Sequence, residues 1–170
     1  MIIVAGGGKG GSGKSTIATN LTIMRARAGH DVLLVDADDQ ETAADFTVLR
    51  NATVDQGAGY TCIQLTGPAV RTEIARLAPK YDDVIVDAGG RDTVSQRAAL
   101  VLADILLVPF VPRSFDIWTL ETVVTLIHEI RTVNPPLRAY AFINRGDPSG
   151  TDHIPSDLVV GSCLRRVRNS

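Results

Sequence analysis

The residues best equipped for chemistry stand near the start of the chain, in Gly8-Lys9-Gly10-Gly11-Ser12-Gly13-Lys14-Ser15. The spacing G-x-x-x-x-G-K-S is that of a P-loop. Glycines let backbone N–H groups turn inward and come close to phosphate oxygens. A helix beginning at the same place aims its positive N-terminus at those oxygens. Lys14 is expected to reach the terminal phosphates, and Ser15 to place its hydroxyl on Mg²⁺. One such lysine–phosphate contact is worth about 4 kcal/mol at about 4 Å and an effective dielectric near 20. Two of the three lysines, Lys9 and Lys14, lie in this loop, and lysine is a compact charge suited to phosphate. The ligand implied is ATP or a closely related nucleoside triphosphate.

Gly6, Gly8 and Gly11 also satisfy the dinucleotide-binding spacing G-x-G-x-x-G, and Asp36 stands where that fold carries its ribose-binding acid. That alternative leaves Lys14-Ser15 without a role.

Three aspartates close apolar runs. Asp87 follows Val84-Ile85-Val86, where a carboxylate can hold Mg²⁺ directly or through water. Gly89 and Gly90 come next and leave backbone N–H groups open to a γ-phosphate. Asp36 and Asp38 follow Val32-Leu33-Leu34-Val35, alternate at the strand end, and are expected on opposite sides of it.

These residues need elements that hold them at one end of a sheet. Apolar runs predict strands at Ile2–Ala5, Val32–Asp36, Thr61–Leu65, Val84–Asp87, Ile105–Val108 and Ala139–Ile143. Helical patterns fall between them at Lys14–Ala28, Ala43–Arg50, Ala69–Ala78, Ser95–Ala103 and Phe115–Val133. The first helix carries Ile17, Leu21 and Met24 as its apolar face. The last carries Ile117, Leu120, Val124, Ile127 and Ile130, and Asn134-Pro135-Pro136 ends it. Alternating βα units predict an α/β fold, a mostly parallel P-loop sheet with helices on both faces. Residues 1–145 read as the core and 146–170 as a tail of weak pattern.

Length and composition fit this reading. The chain has 170 residues, 45% hydrophobic and 21% charged, with a net charge of −2. One domain is expected. Nucleic-acid contact would need a local basic patch. Cys62 and Cys163 are far apart, which argues against a disulfide scaffold or a zinc site, and Cys62 is expected buried in a strand. No segment reads as a signal peptide or a membrane span.

Several segments together resemble the deviant Walker A ATPases of the ParA/MinD family, most of all the small plasmid-partition members. Lys9-Gly10-Gly11-Ser12-Gly13-Lys14-Ser15-Thr16 is similar to the family's phosphate loop. Val35-Asp36-Ala37-Asp38-Asp39-Gln40 is similar to switch I, with Asp39 where proline is usual. Val84–Gly90 is similar to Walker B plus switch II. Val108-Pro109-Phe110-Val111-Pro112-Arg113-Ser114-Phe115-Asp116 and Phe142-Ile143-Asn144-Arg145 are similar to two further family stretches. The resemblance implies Lys9, Lys14 and Asp38 as catalytic residues, with Lys9 reaching nucleotide across a dimer and Asp38 orienting water. It implies nucleotide contacts from Gly10, Gly11, Ser12, Gly13, Lys14, Ser15, Thr16, Asn144 and Arg145, the last two near the adenine. Ser15, Asp36 and Asp87 are the implied Mg²⁺ residues.

The same resemblance implies an ATPase with slow basal turnover that drives plasmid or chromosome partition, or positions another cargo. It implies an ATP-dependent homodimer, non-specific DNA binding and a small ParB-like stimulating partner. It places the protein in the cytoplasm, on the nucleoid when ATP-bound, and not on membranes. The C-terminal part is short relative to the family, as in a truncated, frameshifted or divergent member, and Arg165, Arg166 and Arg168 are its basic residues. The other readings are a MinD-like membrane-cycling ATPase, an ATP-dependent metabolic synthase and a non-hydrolysing nucleotide-dependent scaffold.

Only Lys14 belongs to the general phosphate cradle. Lys14→Ala is therefore expected to abolish nucleotide binding, and Lys9→Ala to spare binding and lose ATP-dependent dimerisation. Titration with fluorescent ATP and light scattering read the two effects separately. A Lys9→Ala protein that dimerised like wild type would end the cross-dimer assignment.

Overall fold

The structure, a computed structural model, describes residues 1–7, 10–90, 93–111 and 117–144, with only the backbone for 117–120. Six strands run β1 Ile2–Ala5, β2 Val32–Ala37, β3 Thr61–Gln64, β4 Asp83–Ala88, β5 Ile105–Phe110 and β6 Arg138–Ile143. Five helices alternate with them: α1 Lys14–Arg27, α2 Thr42–Thr53, α3 Ala69–Leu77, α4 Val94–Leu100 and α5 Ile117–Arg131. The sheet order is β3-β2-β4-β1-β5-β6, and every pairing is parallel.

The strand order places the site. From β1 the chain crosses to β2 and β3 on one side, and from β4 it crosses over β1 to β5 and β6 on the other. A crevice therefore opens at the carboxyl ends of β1 and β4, the switch point where α/β sheets bind ligands. Pairing of Ala5 with Asp87, and of Asp36 with Asp87, brings three distant segments to one place.

Side-chain alternation divides the interior in two. Leu33, Val35, Val84 and Val86 pack with Val70 and Ile74 of α3, Ala99 and Leu100 of α4, and Val123, Leu126, Ile127 and Ile130 of α5. Val32, Leu34 and Ile85 face the other way, onto Ala18 of α1 and Ala43 of α2. β2 and β4 are buried along their whole length, which is why they read as unbroken apolar runs. β3 and β6 are the edges, and their exposure is intermittent.

Two expectations need correction. The buried face of α1 is Ala18, Thr19 and Thr22, whereas Ile17 and Leu21 are half-buried and Met24 is exposed. Ala18 packs there with Ala5, Val32, Leu34 and Ile85 of the sheet. Thr19 and Thr22 satisfy their hydroxyls on the carbonyls of Ser15 and Ala18, at 2.7 and 2.8 Å. Arg25, on the last turn of α1, pairs with the buried Asp83 of β4 at 2.6 Å. Cys62 is half-buried rather than buried, because β3 is an edge strand. Element ends also shift: α2 runs on to Thr53, and α4 stops at Leu100, short of Ala103. Trp118, the stretch 112–116, Cys163 and the tail 146–170 lie outside the described side chains.

Asn134 does more than precede two prolines. Its side chain is buried and donates through Nδ2 to the carbonyls of Leu100 and Ala103, at 2.9 and 2.8 Å. One amide, from the loop that ends α5, thus ties down the turn after α4, where the Leu100 carbonyl also accepts the Ala103 N–H at 3.3 Å. Asn134→Ala is expected to cost about 1–3 kcal/mol, because it takes the side-chain donor from the carbonyl of the buried Ala103. Urea titration should show a lower midpoint with an unchanged slope. An unshifted midpoint would show that the amide contributes nothing net.

Candidate active site

At the carboxyl end of β1 the chain turns through Gly6 and Gly7 into the phosphate loop. Gly13, at φ 94°, then starts α1 in a left-handed conformation. A cavity of about 670 Å³ opens above this turn. Its wall includes Gly10, Gly11, Gly13, Lys14, Ser15 and Thr16 from the loop and first turn of α1. Asp38, Asp39, Gln40 and Thr42 come from the stretch after β2, and Gly89, Gly90 and Thr93 from the stretch after β4. Three segments separated by tens of residues meet around one polar space.

Lys14 is 6% exposed. Burial lowers its pKa, while the charges of Asp87 and Asp38 hold it up. Gly90 has a specific steric reason to be glycine. A Cβ there would lie 2.8 Å from the Gly10 backbone nitrogen and 3.1 Å from Lys14 Nζ. The two glycine-bearing turns therefore close on each other around the lysine.

Asp87 is fully buried at the end of β4. Its two oxygens are, among the described residues, the only buried side-chain polar atoms without a completed hydrogen bond. Burial pushes its pKa up from 3.8 to about 7. The charges of Asp36 and Asp38 add to the rise, and the nearby Ser15 hydroxyl and Lys14 ammonium oppose it. Buried polar groups are normally paired, and an orphaned carboxylate suits a missing cation. No group of three or more His, Cys, Asp or Glu among the described residues is placed to hold a metal ion. Mg²⁺ requires no such cage, since it binds through one or two carboxylates together with substrate phosphates. Asp87 with the Ser15 hydroxyl fits that mode.

Asp36 and Asp38 differ from expectation. Residues two apart on a strand share a face, and β2 ends at Ala37, so Asp38 already lies beyond the pleat. The Asp38 N–H donates to Asp36 Oδ1 at 3.2 Å. Engagement separates the two, not direction. Asp36 is 2% exposed and also accepts the Ala44 N–H on Oδ2 at 2.8 Å, so it caps α2 from outside the helix. Burial raises its pKa against those amide bonds. Asp38 is half-buried and lines the cavity, whereas Asp36 lies behind it.

Asn144 stands at the end of β6, its N–H on the Phe110 carbonyl at 2.6 Å. Its side chain does not line the cavity but donates to the Ser12 carbonyl at 2.8 Å, bracing the phosphate loop from behind. Lys9, Gly8 and Arg145 lie outside the described residues. The sequence reading overlooked Thr42, Thr93 and Gln96. Thr93 and Gln96 carried a signal, the T-x-x-Q capping pattern at the start of α4.

Comparison with known proteins agrees with this geometry. The family described as "CobQ/CobB/MinD/ParA nucleotide binding domain" matches residues 2–156. Over 141 residues the chain is 29% identical to maintenance of carboxysome distribution protein A from Halothiobacillus neapolitanus. That match covers 82% of this chain and 64% of the relative, so the chain spans less than two thirds of that relative's length. A plasmid partition protein from Borrelia burgdorferi superposes with a TM-score of 0.71 at 19% identity, covering 86% of this chain and 79% of that one. Cobyrinic acid a,c-diamide synthase from Mycobacterium smegmatis, with bound ADP and magnesium, superposes with a TM-score of 0.75 at 19% identity. It covers 99% of this chain and 81% of that one. At such identities the two structures share the fold alone.

The raised pKa of Asp87 has a measurable consequence. The folded carboxyl keeps its proton up to about pH 7, whereas an unfolded aspartate releases it near 3.9. Between these values the native state binds more protons, so stability without Mg²⁺ falls as pH rises. Wild type should lose up to about 1.4 kcal/mol per pH unit relative to Asp87→Asn between about pH 5 and pH 7. Denaturant titrations in chelator check it, and parallel pH curves for the two proteins would refute it.

Proposed function

The chain belongs to the CobQ/CobB/MinD/ParA nucleotide-binding domain family, and from that premise we propose that it is a ParA-like ATPase that partitions DNA or positions another cargo. The observation that carries the ATPase reading is Asp87, a buried carboxylate near Lys14 and Ser15 that completes no hydrogen bond among the described residues. A dinucleotide site gives that carboxylate and Lys14 no task. The relative named for carboxysome distribution supports the positioning side of the reading.

In this mechanism the N–H groups of Gly10 to Ser15 and the amino end of α1 receive the phosphates. Lys14, itself 6% exposed, offsets charge on the terminal phosphates. Ser15 and Asp87 would hold Mg²⁺, with Asp36 behind them. When bound, Mg²⁺ neutralises charge on the β- and γ-phosphate oxygens. Asp38, on the cavity wall, orients the attacking water. Gly89 and Gly90 offer backbone N–H groups to the γ-phosphate. Lys9 reaches the nucleotide of a second copy, so ATP drives dimerisation. A dimer binds DNA non-specifically through arginines, and a small ParB-like partner speeds hydrolysis and resets the monomer.

The division of labour between two aspartates tests this. Asp38→Ala should bind ATP with Mg²⁺, lose about 100-fold in turnover and accumulate as a dimer. Asp87→Ala should instead lose the Mg²⁺-dependent part of ATP binding, by about 10- to 100-fold. Phosphate release and sedimentation on both variants separate the roles. Hydrolysis by Asp38→Ala at the wild-type rate would remove Asp38 from the mechanism, with Asp39 the next candidate on the cavity wall. A wild type that binds ATP without hydrolysing it would favour the scaffold reading.

A further inference from the structure

The side chain of Gln96 is 1% exposed and lies outside the cavity wall. It sits at the third position of α4, and its backbone N–H donates to Thr93 Oγ1 at 3.1 Å. That is one half of a capping box. In the other half, the glutamine side chain returns to the N–H of the capping residue. Here it turns away, and Gln96 Oε1 accepts the N–H of Gly7 at 3.1 Å. The helix gives up a local bond to make a contact 89 residues away in sequence.

The position of Gly7 gives this contact its meaning. It is a buried residue at φ 127°, between β1 and the phosphate loop. A Cβ on it would lie 2.8 Å from Val108 Cγ1, and one on Gly6 would lie 3.1 Å from Gln96 Oε1. The backbone thus passes tightly between β5 and the Gln96 amide, with little room to rest elsewhere. Thr93, which accepts the Gln96 N–H, lines the same cavity as Gly90, and Gly90 lies close to Lys14. Thr93 and the first turn of α4 thus connect the cavity wall to the root of the phosphate loop.

We propose that Gln96 is a positioning residue that couples the stretch after β4 to the phosphate loop, so that the loop's grip on nucleotide depends on whether Gly89–Gly90 has met a γ-phosphate. The proposal rests on the nucleotide-binding reading of the cavity. Gln96 touches no nucleotide in it. It makes two segments move as one, and its loss leaves each segment folded but independent. The effect is discrimination between triphosphate and diphosphate rather than affinity for either alone.

Two readouts test it. In ¹⁵N-labelled protein without nucleotide, the Gly7 amide should be protected from hydrogen exchange in wild type. Gln96→Met keeps the volume and removes the acceptor, whereas Gln96→Ala removes both. Each should speed Gly7 exchange about 10-fold or more while amides in β4 keep their protection. Gln96→Glu retains an acceptor oxygen and should restore most of the protection. In the second readout, affinities for ADP and for a non-hydrolysable ATP analogue are measured with Mg²⁺. Gln96→Met should lower the preference for the triphosphate about 10-fold, within the usual range of coupling between sites. Unchanged Gly7 exchange in Gln96→Met and Gln96→Ala would overturn the link, whether or not nucleotide binds. Lost Gly7 protection with an unchanged triphosphate preference would overturn the coupling and leave the nucleotide reading standing. A wild type that bound neither nucleotide would overturn that reading and the coupling with it.

Discussion

Asp87 is fully buried, and among the described residues neither of its oxygens completes a hydrogen bond. Burying a charge without a partner is expensive, so the site must hold a proton, gain a cation, or both in turn. The surroundings are arranged around that requirement. Lys14 is buried nearby and loses some of its own affinity for protons by desolvation. Asp36 and Asp38 add negative charge from the neighbouring strand end. The result is a buried carboxylate cluster beside one lysine and a glycine-bearing loop.

The rest of the fold serves to keep that arrangement in register. β4 lies between β1 and β2, so the strand bearing Asp87 is flanked by the strand that starts the phosphate loop and the strand that ends in Asp36. Two buried or half-buried amide side chains then brace the loop itself. Gln96 holds its root at Gly7, and Asn144 holds its far end at Ser12. One brace comes from the helix after β4, the other from the end of β6. A loop rich in glycine has little stiffness of its own, and these two contacts supply it from outside.

The fold by itself does not separate the possible tasks of the chain. A plasmid partition protein and a diamide synthase superpose on it with TM-scores of 0.71 and 0.75. Shared architecture leaves function to the residues grafted on it. Here the acidic stretch after β2 and the glycine pair after β4 stand on the cavity wall. The stretch from Asp38 to Gln40 forms one wall of the cavity, and its continuation at Glu41 sits at φ 53°, unusual for a residue that is not glycine. That backbone is held by Asp36, whose oxygens take the amides of Asp38 and Ala44.

The sequence alone determined the order of elements and the place of the glycine-rich loop at the start of α1, because both are local. Unbroken Val/Ile/Leu runs mark strands covered on two faces, and the G-x-x-x-x-G-K-S spacing fixes a turn, a helix start and a lysine within eight residues. Asp87 was legible as a strand-end acid for the same reason. The roles of the other polar residues were not local. That Asp36 caps α2 while Asp38 faces the cavity depends on where β2 stops and where α2 begins. That α1 buries Ala18, Thr19 and Thr22 rather than Ile17, Leu21 and Met24 depends on which side of it meets the sheet. That Asn144 turns to Ser12, and Gln96 to Gly7, depends on contacts across 132 and 89 residues of chain. A side-chain amide can bond to any backbone group within reach, and only the packed sheet decides which one that is.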